Sequence, residues 1–158
     1  MKLPDVLCAF LAAQNTLTLA TTNADGSPHA CDLFYVHADD AYYFLSDPTT
    51  RHIQNLTREP RVSATIHGAS QGWQDIRGIQ IVGDAARVDA RAERARAFAQ
   101  YLAKYVFVRE MLPNIEMLGR AHEIFGVIDL YKLTPRWLRW IDNTRGFGYK
   151  EEGGIQNS

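Results

Sequence analysis

Hydrophobic positions in this chain alternate with polar ones far more often than they recur at helical spacing. "TLTLATT" sets Leu17 and Leu19 among threonines, "RVSATIHG" carries Val62, Ala64 and Ile66 between polar neighbours, and "IRGIQIVGDAARV" continues the pattern through Ile79 and Ile81. A period of two is that of a strand with one face turned to a core. "HACDLFYV", the aromatic-rich "AYYFLS", "HEIFGVIDLYKL" and "RWLRWID" bring the predicted strands to six or seven. The Asp25-Gly26 pair in "NADGS" and the polar "HADD" supply turns, so the first three strands read as a meander, while "ASQGWQD" reads as a surface hairpin.

Helical spacing interrupts this pattern in three places. Leu3, Val6, Leu7, Phe10 and Leu11 put one apolar face on a short helix from about Pro4 to Gln14, suited to act as a lid. Asp47 followed by Pro48 predicts a helix from Pro48 to Arg58, with the acid as cap and the proline in the first turn. The alanine-rich stretch from Arg91 to about Tyr105 favours a third helix, with Phe98, Leu102 and Tyr105 on one side, and a weaker helical stretch stops near Pro113. Most strands follow one another without an intervening helix. The predicted fold is therefore mainly β with small helices, an antiparallel, Greek-key-like barrel, closed or nearly so, rather than a doubly wound parallel sheet. Residues 1–149 form a single domain, and the polar, glycine-rich residues 150–158 are expected to be a flexible tail.

Composition narrows the function. The 158 residues include 46% hydrophobic and 22% charged positions, ordinary for a globular protein, and a formal charge of −1 offers no basic field to gather nucleic acid. With only Cys8 and Cys31 there is no disulfide framework, so a reducing, cytoplasmic setting is expected. No stretch approaches the roughly 20 apolar residues of a membrane helix, and no signal segment is expected.

The candidate chemistry gathers at one bend. Ser46, Thr49, Thr50, Arg51 and His52 place three hydroxyls, a guanidinium and an imidazole where a strand passes into a helix. A helix start offers free amides and a favourable dipole end to an anion, and arginine can bond two phosphate oxygens at once. The same residues also make an ordinary turn and an exposed first helical turn. His29, Cys31, Asp32 and His37 share one hairpin, but residues 31 to 37 span too far for one compact centre and no CxxC or HExxH spacing occurs, so no metal site is expected. No G-x-S-x-G elbow is present, and Cys8, on an apolar helix, is expected to be buried. Trp137 and Trp140, three apart in a strand, belong on opposite faces.

The order of elements, together with "AYYFLSDPTTRHIQNL", resembles the FMN-binding split β-barrels related to pyridoxamine 5′-phosphate oxidase. "IRGIQIVGDAARV" and "WLRWIDNTRGFGYK" are similar to the small bacterial YhbP-type group. The resemblance implies a homodimer with FMN at the interface. Leu45 and Ser46 correspond to a cofactor-touching pair, Arg51 and His52 to an Arg-Lys pair on the phosphate, and Asp32 and Leu33 lie on a strand along the cofactor. Thr49 and Thr50 would complete the cradle, with Gln80, Trp137 and Arg145 near the ring. Two family cations are replaced by Ala30 and Tyr35, a ring-side glutamine falls on Gly78, and the oxidase's C-terminal Arg-x-His signature is missing, which excludes authentic pyridoxamine phosphate oxidation. The implied function is an FMN-binding flavoprotein, in one version an oxidoreductase acting on a small-molecule redox substrate. In the other it is a non-catalytic carrier of flavin, haem or another planar ligand.

Overall fold

The computed structural model describes residues 3–111 and 128–154. Seven strands, β1 (Thr16–Thr22), β2 (Pro28–Ala38), β3 (Ala41–Ser46), β4 (Arg61–His67), β5 (Arg77–Arg87), β6 (Asp129–Asp142) and β7 (Lys150–Gly154), lie in one antiparallel sheet of order β3-β2-β1-β4-β5-β6-β7. Pairing of β3 with β6 closes β1 to β6 into a six-stranded barrel. The helices are α1 (Asp5–Ala13), α2 (Arg51–Arg58), α3 (Arg91–Lys104) and α4 (Val106–Met111).

Alternation does what the pattern predicts. β4 is exposed and buried by turns along its whole length, and Leu17, Leu19, Ile66, Ile79 and Ile81 are all within the barrel core. α1 closes one end: Leu7, Phe10 and Leu11 join the core, the Phe10 ring meets Trp140 edge-on at 4.9 Å, and the Tyr35 hydroxyl donates to the Leu11 carbonyl at 2.7 Å. Tyr42 and Phe44 both point inward, while Tyr43 joins a second cluster in which α3 and α4 cover the outside of β2 and β3. The Tyr101 hydroxyl ties that layer down by donating to the carbonyls of Phe34 and Tyr43. At the β2–β3 turn Asp39 and Asp40 take positive φ values of 50° and 58°, the mirror-image turn that matches strand twist.

Four expectations need correction. The two final predicted strands are one 14-residue strand, β6, running through Pro135. The proline costs no ladder bond there, because β6 has left β3 after Leu133 and meets β7 only from Trp137, while its other side shifts register opposite Gly83. The front of the predicted sixth strand, residues 122–127, lies outside the described residues, as does the segment around Pro113. Residues 150–154, expected in a loose tail, form β7, paired with residues 137–141. The expected surface hairpin between β4 and β5 is a loop with a single 3-10 turn, Trp73–Asp75.

The fourth concerns α2, which starts at Arg51 rather than Pro48. The Asp47 carboxylate accepts from both the amide and the hydroxyl of Thr49 at 2.7 Å, and the Asp47 carbonyl accepts from the Thr50 amide. Asp47-Pro48 thus builds a turn ahead of the helix, and Thr50, extended at ψ 150°, is its N-cap. No helix among the described residues is long and apolar enough to cross a membrane.

Candidate functional site

The strand-to-helix bend divides its side chains between two directions. Arg51 is exposed and forms no hydrogen bond or ion pair with another described residue. His52 turns inward and is 8% exposed, with Nε2 2.7 Å from the Ser46 hydroxyl and 3.3 Å from that of Thr50. Ser46 and Thr50 also bond each other at 3.2 Å, and Thr50 donates to the Asp47 carbonyl. Thr49 spends its hydroxyl on Asp47. The first helical bond runs from the Gln54 amide to the Thr50 carbonyl, so the amides of Arg51, His52 and Ile53 precede the ladder.

Burial, with the His29 charge adding to it, pushes the His52 imidazole below the ordinary histidine range. A neutral ring supplies orientation and one hydrogen bond but no charge. Of the two predicted cations at this bend, only Arg51 is one in the free fold.

The other expected residues separate by face. Leu33 packs against the barrel core beside Cys31, and Leu45 against the α3 layer. Asp32 lies outside, accepting a hydrogen bond from Thr18. Ladder register sets Asp32, Thr18, Thr65, Gln80 and Arg139 in one row across five strands, and Trp137 neighbours Val82 in the next row. The Arg139 guanidinium lies 5.1 Å from the Trp137 ring centroid, contacts Gln80 at 3.4 Å and pairs with Glu152. Trp140 is in the core, so the two tryptophans do take opposite faces. Arg145 stands on a 3-10 turn, Asn143–Arg145, paired with Glu151 and stacked on Tyr149 at 4.1 Å. The chain therefore brings together Ser46, Thr50 and His52, keeps Asp32, Gln80 and Trp137 on a separate outer shelf, and sets Arg145 on the β6–β7 connection.

Sequence reasoning missed Arg139, whose signal was its place in alternation with Trp137. It weighed His29 and Cys31 only with His37, which it set too far away, and did not bring in His52, whose donor atom lies within 4.8 Å of theirs. Cys8, expected to be buried, is exposed.

The family model for pyridoxamine 5′-phosphate oxidase matches residues 3–137. A UPF0306 protein of Klebsiella pneumoniae (strain 342) is 29% identical over 143 residues, covering 89% of this chain and 86% of that protein. The UPF0306 protein YhbP of Escherichia coli O157:H7 is 25% identical over 152 residues, covering 95% and 92%. Among solved structures, a heme binding protein from Mycobacterium smegmatis has the same fold with a TM-score of 0.72 at 21% identity; the match covers 98% of this chain but 59% of that one. With a closed six-stranded barrel, a strand-to-helix bend at Ser46 to His52 and a family match over nearly all the described barrel, the chain belongs to the pyridoxamine 5′-phosphate oxidase family and is similar to its YhbP-type relatives.

Proposed function

We propose that the protein binds flavin mononucleotide, with the phosphate at the first turn of α2. The observation that carries this is the exposed Arg51 guanidinium, without a partner among the described residues, beside three amides that precede the helical ladder. Together they offer a dianion charge, a bidentate fork and a dipole end, and α2 has two full turns behind them. Ser46 and Thr50, held by neutral His52, shape the wall of the cradle.

The ring belongs on the outer shelf, where short side chains at Thr18, Thr65, Ala20 and Ser63 leave the sheet flat and Asp32, Gln80 and Arg139 offer polar edges. Phe34 and Val82, 49% and 40% exposed, lie on the same outer side, which fits coverage by a second copy of the chain. Leu33, Leu45, Thr49, Trp137 and Arg145 then act as neighbours that shape or cover the cofactor. Bound flavin would supply hydride or electron transfer, while the chain supplies binding and orientation. A small-molecule redox substrate would complete an oxidoreductase.

The test is titration with FMN followed by quenching of flavin fluorescence. Saturable quenching is expected, and Arg51→Ala should weaken it by roughly 10- to 100-fold, the value of a charge-assisted hydrogen-bonded contact of about 1.5–3 kcal/mol. Unchanged affinity in the variant, or no saturation, refutes the cradle. Bleaching of the complex by NADH then separates an oxidoreductase from a carrier. A second reading, a haem or other planar-ligand carrier, is favoured by the barrel shared with the mycobacterial heme binding protein. A hemin titration read at the Soret band distinguishes it.

A further inference from the structure

The strongest unassigned feature is the inward cluster of His29, Cys31 and His52. His29 and Cys31 are two apart on β2, so both project to one face, the face that pairs with buried Thr21 and Leu19 of β1. His52 comes down on them from the first turn of α2. One donor atom from each of the three lies within 4.8 Å of the other two. His52 is buried and the other two are half-buried, so the cluster sits at the barrel end with one side reaching toward solvent.

We propose that His29, Cys31 and His52 form a binding site for a divalent transition-metal ion of the zinc or cobalt class, with three protein donors and one open coordination position. Two imidazoles and a thiolate are borderline-to-soft donors, which select such ions over magnesium or calcium. Metal–nitrogen bonds of about 2.0–2.1 Å and a metal–sulfur bond of about 2.3 Å put donors about 3.3–3.6 Å apart around a tetrahedral ion. The donor atoms, within 4.8 Å of one another, need to close by at most about 1.2–1.5 Å, a shift that falls to the half-buried His29 side chain. Ser46 and Thr50 hold the His52 ring by its Nε2, the kind of outer contact that fixes a ligating histidine.

On binding, Cys31 gives its proton to solvent as the sulfur–metal bond forms, and each histidine ligates through an unprotonated ring nitrogen. Three protein donors with an open fourth position are the arrangement of sites that bind a water or an incoming ligand oxygen, not of closed structural centres.

The experiment is titration of the full-length, metal-stripped protein with Co²⁺, with no flavin present, so its outcome is independent of the FMN titration. The expected result is one equivalent of cobalt, with intense tetrahedral ligand-field bands and a sulfur-to-cobalt charge-transfer band, both bleached by one equivalent of Zn²⁺. Cys31→Ser should abolish the charge-transfer band, and His29→Ala, at a half-buried position that leaves the fold intact, should weaken binding at least tenfold. Cys8→Ser, which changes the other cysteine, and His67→Ala, at the exposed end of β4, should leave the spectrum unchanged. A thiolate band that survives Cys31→Ser but is lost in Cys8→Ser overturns the proposal. So does a weak, octahedral spectrum indifferent to His29→Ala.

Discussion

Replacement of Gly83 by alanine should loosen the barrel where β6 changes partners. A Cβ at position 83 would stand 2.2 Å from the Thr134 carbonyl oxygen and 3.0 Å from both Leu133 Cδ1 and Pro135 Cα. Ordinary contact begins near 3.4 Å, so the backbone of β6 must withdraw by about 1 Å, and two of the three obstacles cannot rotate away. The site coincides with the register shift between β5 and β6, where the proline has already removed one donor. Overpacking costs about 1–3 kcal/mol when side chains can adjust. With backbone in the way, the upper end applies, and at about 2–4 °C per kcal/mol for a chain of this size the expected fall in Tm is roughly 6–12 °C. Gly68→Ala is the control, because its Cβ would meet nothing nearer than Phe10 at 3.5 Å. Differential scanning calorimetry of both variants checks the prediction. A Gly83→Ala protein melting within 2 °C of Gly68→Ala would show that β6 is free to move there, and the steric account would be wrong.

Asn55, 4% exposed on α2, donates to Thr21 and Asn23 and so fixes the helix to the β1–β2 hairpin; Asn55→Ala should cost about 1–3 kcal/mol by urea unfolding. Tyr101→Phe removes one hydroxyl donor shared by the Phe34 and Tyr43 carbonyls and should cost about 1–2 kcal/mol, lowering Tm by a few degrees with the barrel intact by circular dichroism. Burial, reinforced by Lys104 and opposed by Asp40, lowers the His37 pKa, and its Nε2 has no hydrogen-bond partner among the described residues. The unfolded chain then binds more protons than the fold, so this stability is full above about pH 6.5 and is lost as pH falls through the folded pKa, by up to about 1.4 kcal/mol per pH unit. Urea midpoints at pH 7.5 and 5.5 should show that fall, and His37→Gln should reduce it.

The barrel was legible because its strands are half-buried, and half-burial writes itself into sequence as alternation. β4, with every second residue inside, shows this most clearly, and β3 ends where "AYYFLS" ends. Three features were not legible, each because a tertiary neighbour decides a local choice. Pro135 looks like a strand break until β6 is seen to stand unpaired on one side at that residue. Asp47-Pro48 has the composition of a helix start, yet the Asp47 carboxylate closes on Thr49 instead. β7 has no apolar alternation, and its pairing with the Trp137 half of β6 is what makes "KEEGG" a strand.

The candidate site was legible as a list of residues but not as a grouping, and the reason is the path of β3. After Phe44 that strand leaves β2 and runs along β6, pairing Leu45 with Leu130 and Ser46 with Asp129. The first half of β2 is left without a partner on that side, and the turn at Asp47 carries α2 back over it, so His52 descends on His29 and Cys31 across more than twenty residues of sequence. The resemblance assigns position 52 to a cation that grips phosphate, but a lysine can reach outward on a flexible stem, whereas an imidazole is short and lies here against Ser46 in a buried pocket. Buried and neutral, it is a poor partner for an anion and a good donor to a metal. The two proposals therefore divide the bend between them: Arg51 and the free amides face out for a phosphate, and His52 faces in with two donors of matching chemistry. Losing Arg51 should cost flavin and spare cobalt, and any coupling between the two titrations would place the metal's open position and the phosphate within reach of each other.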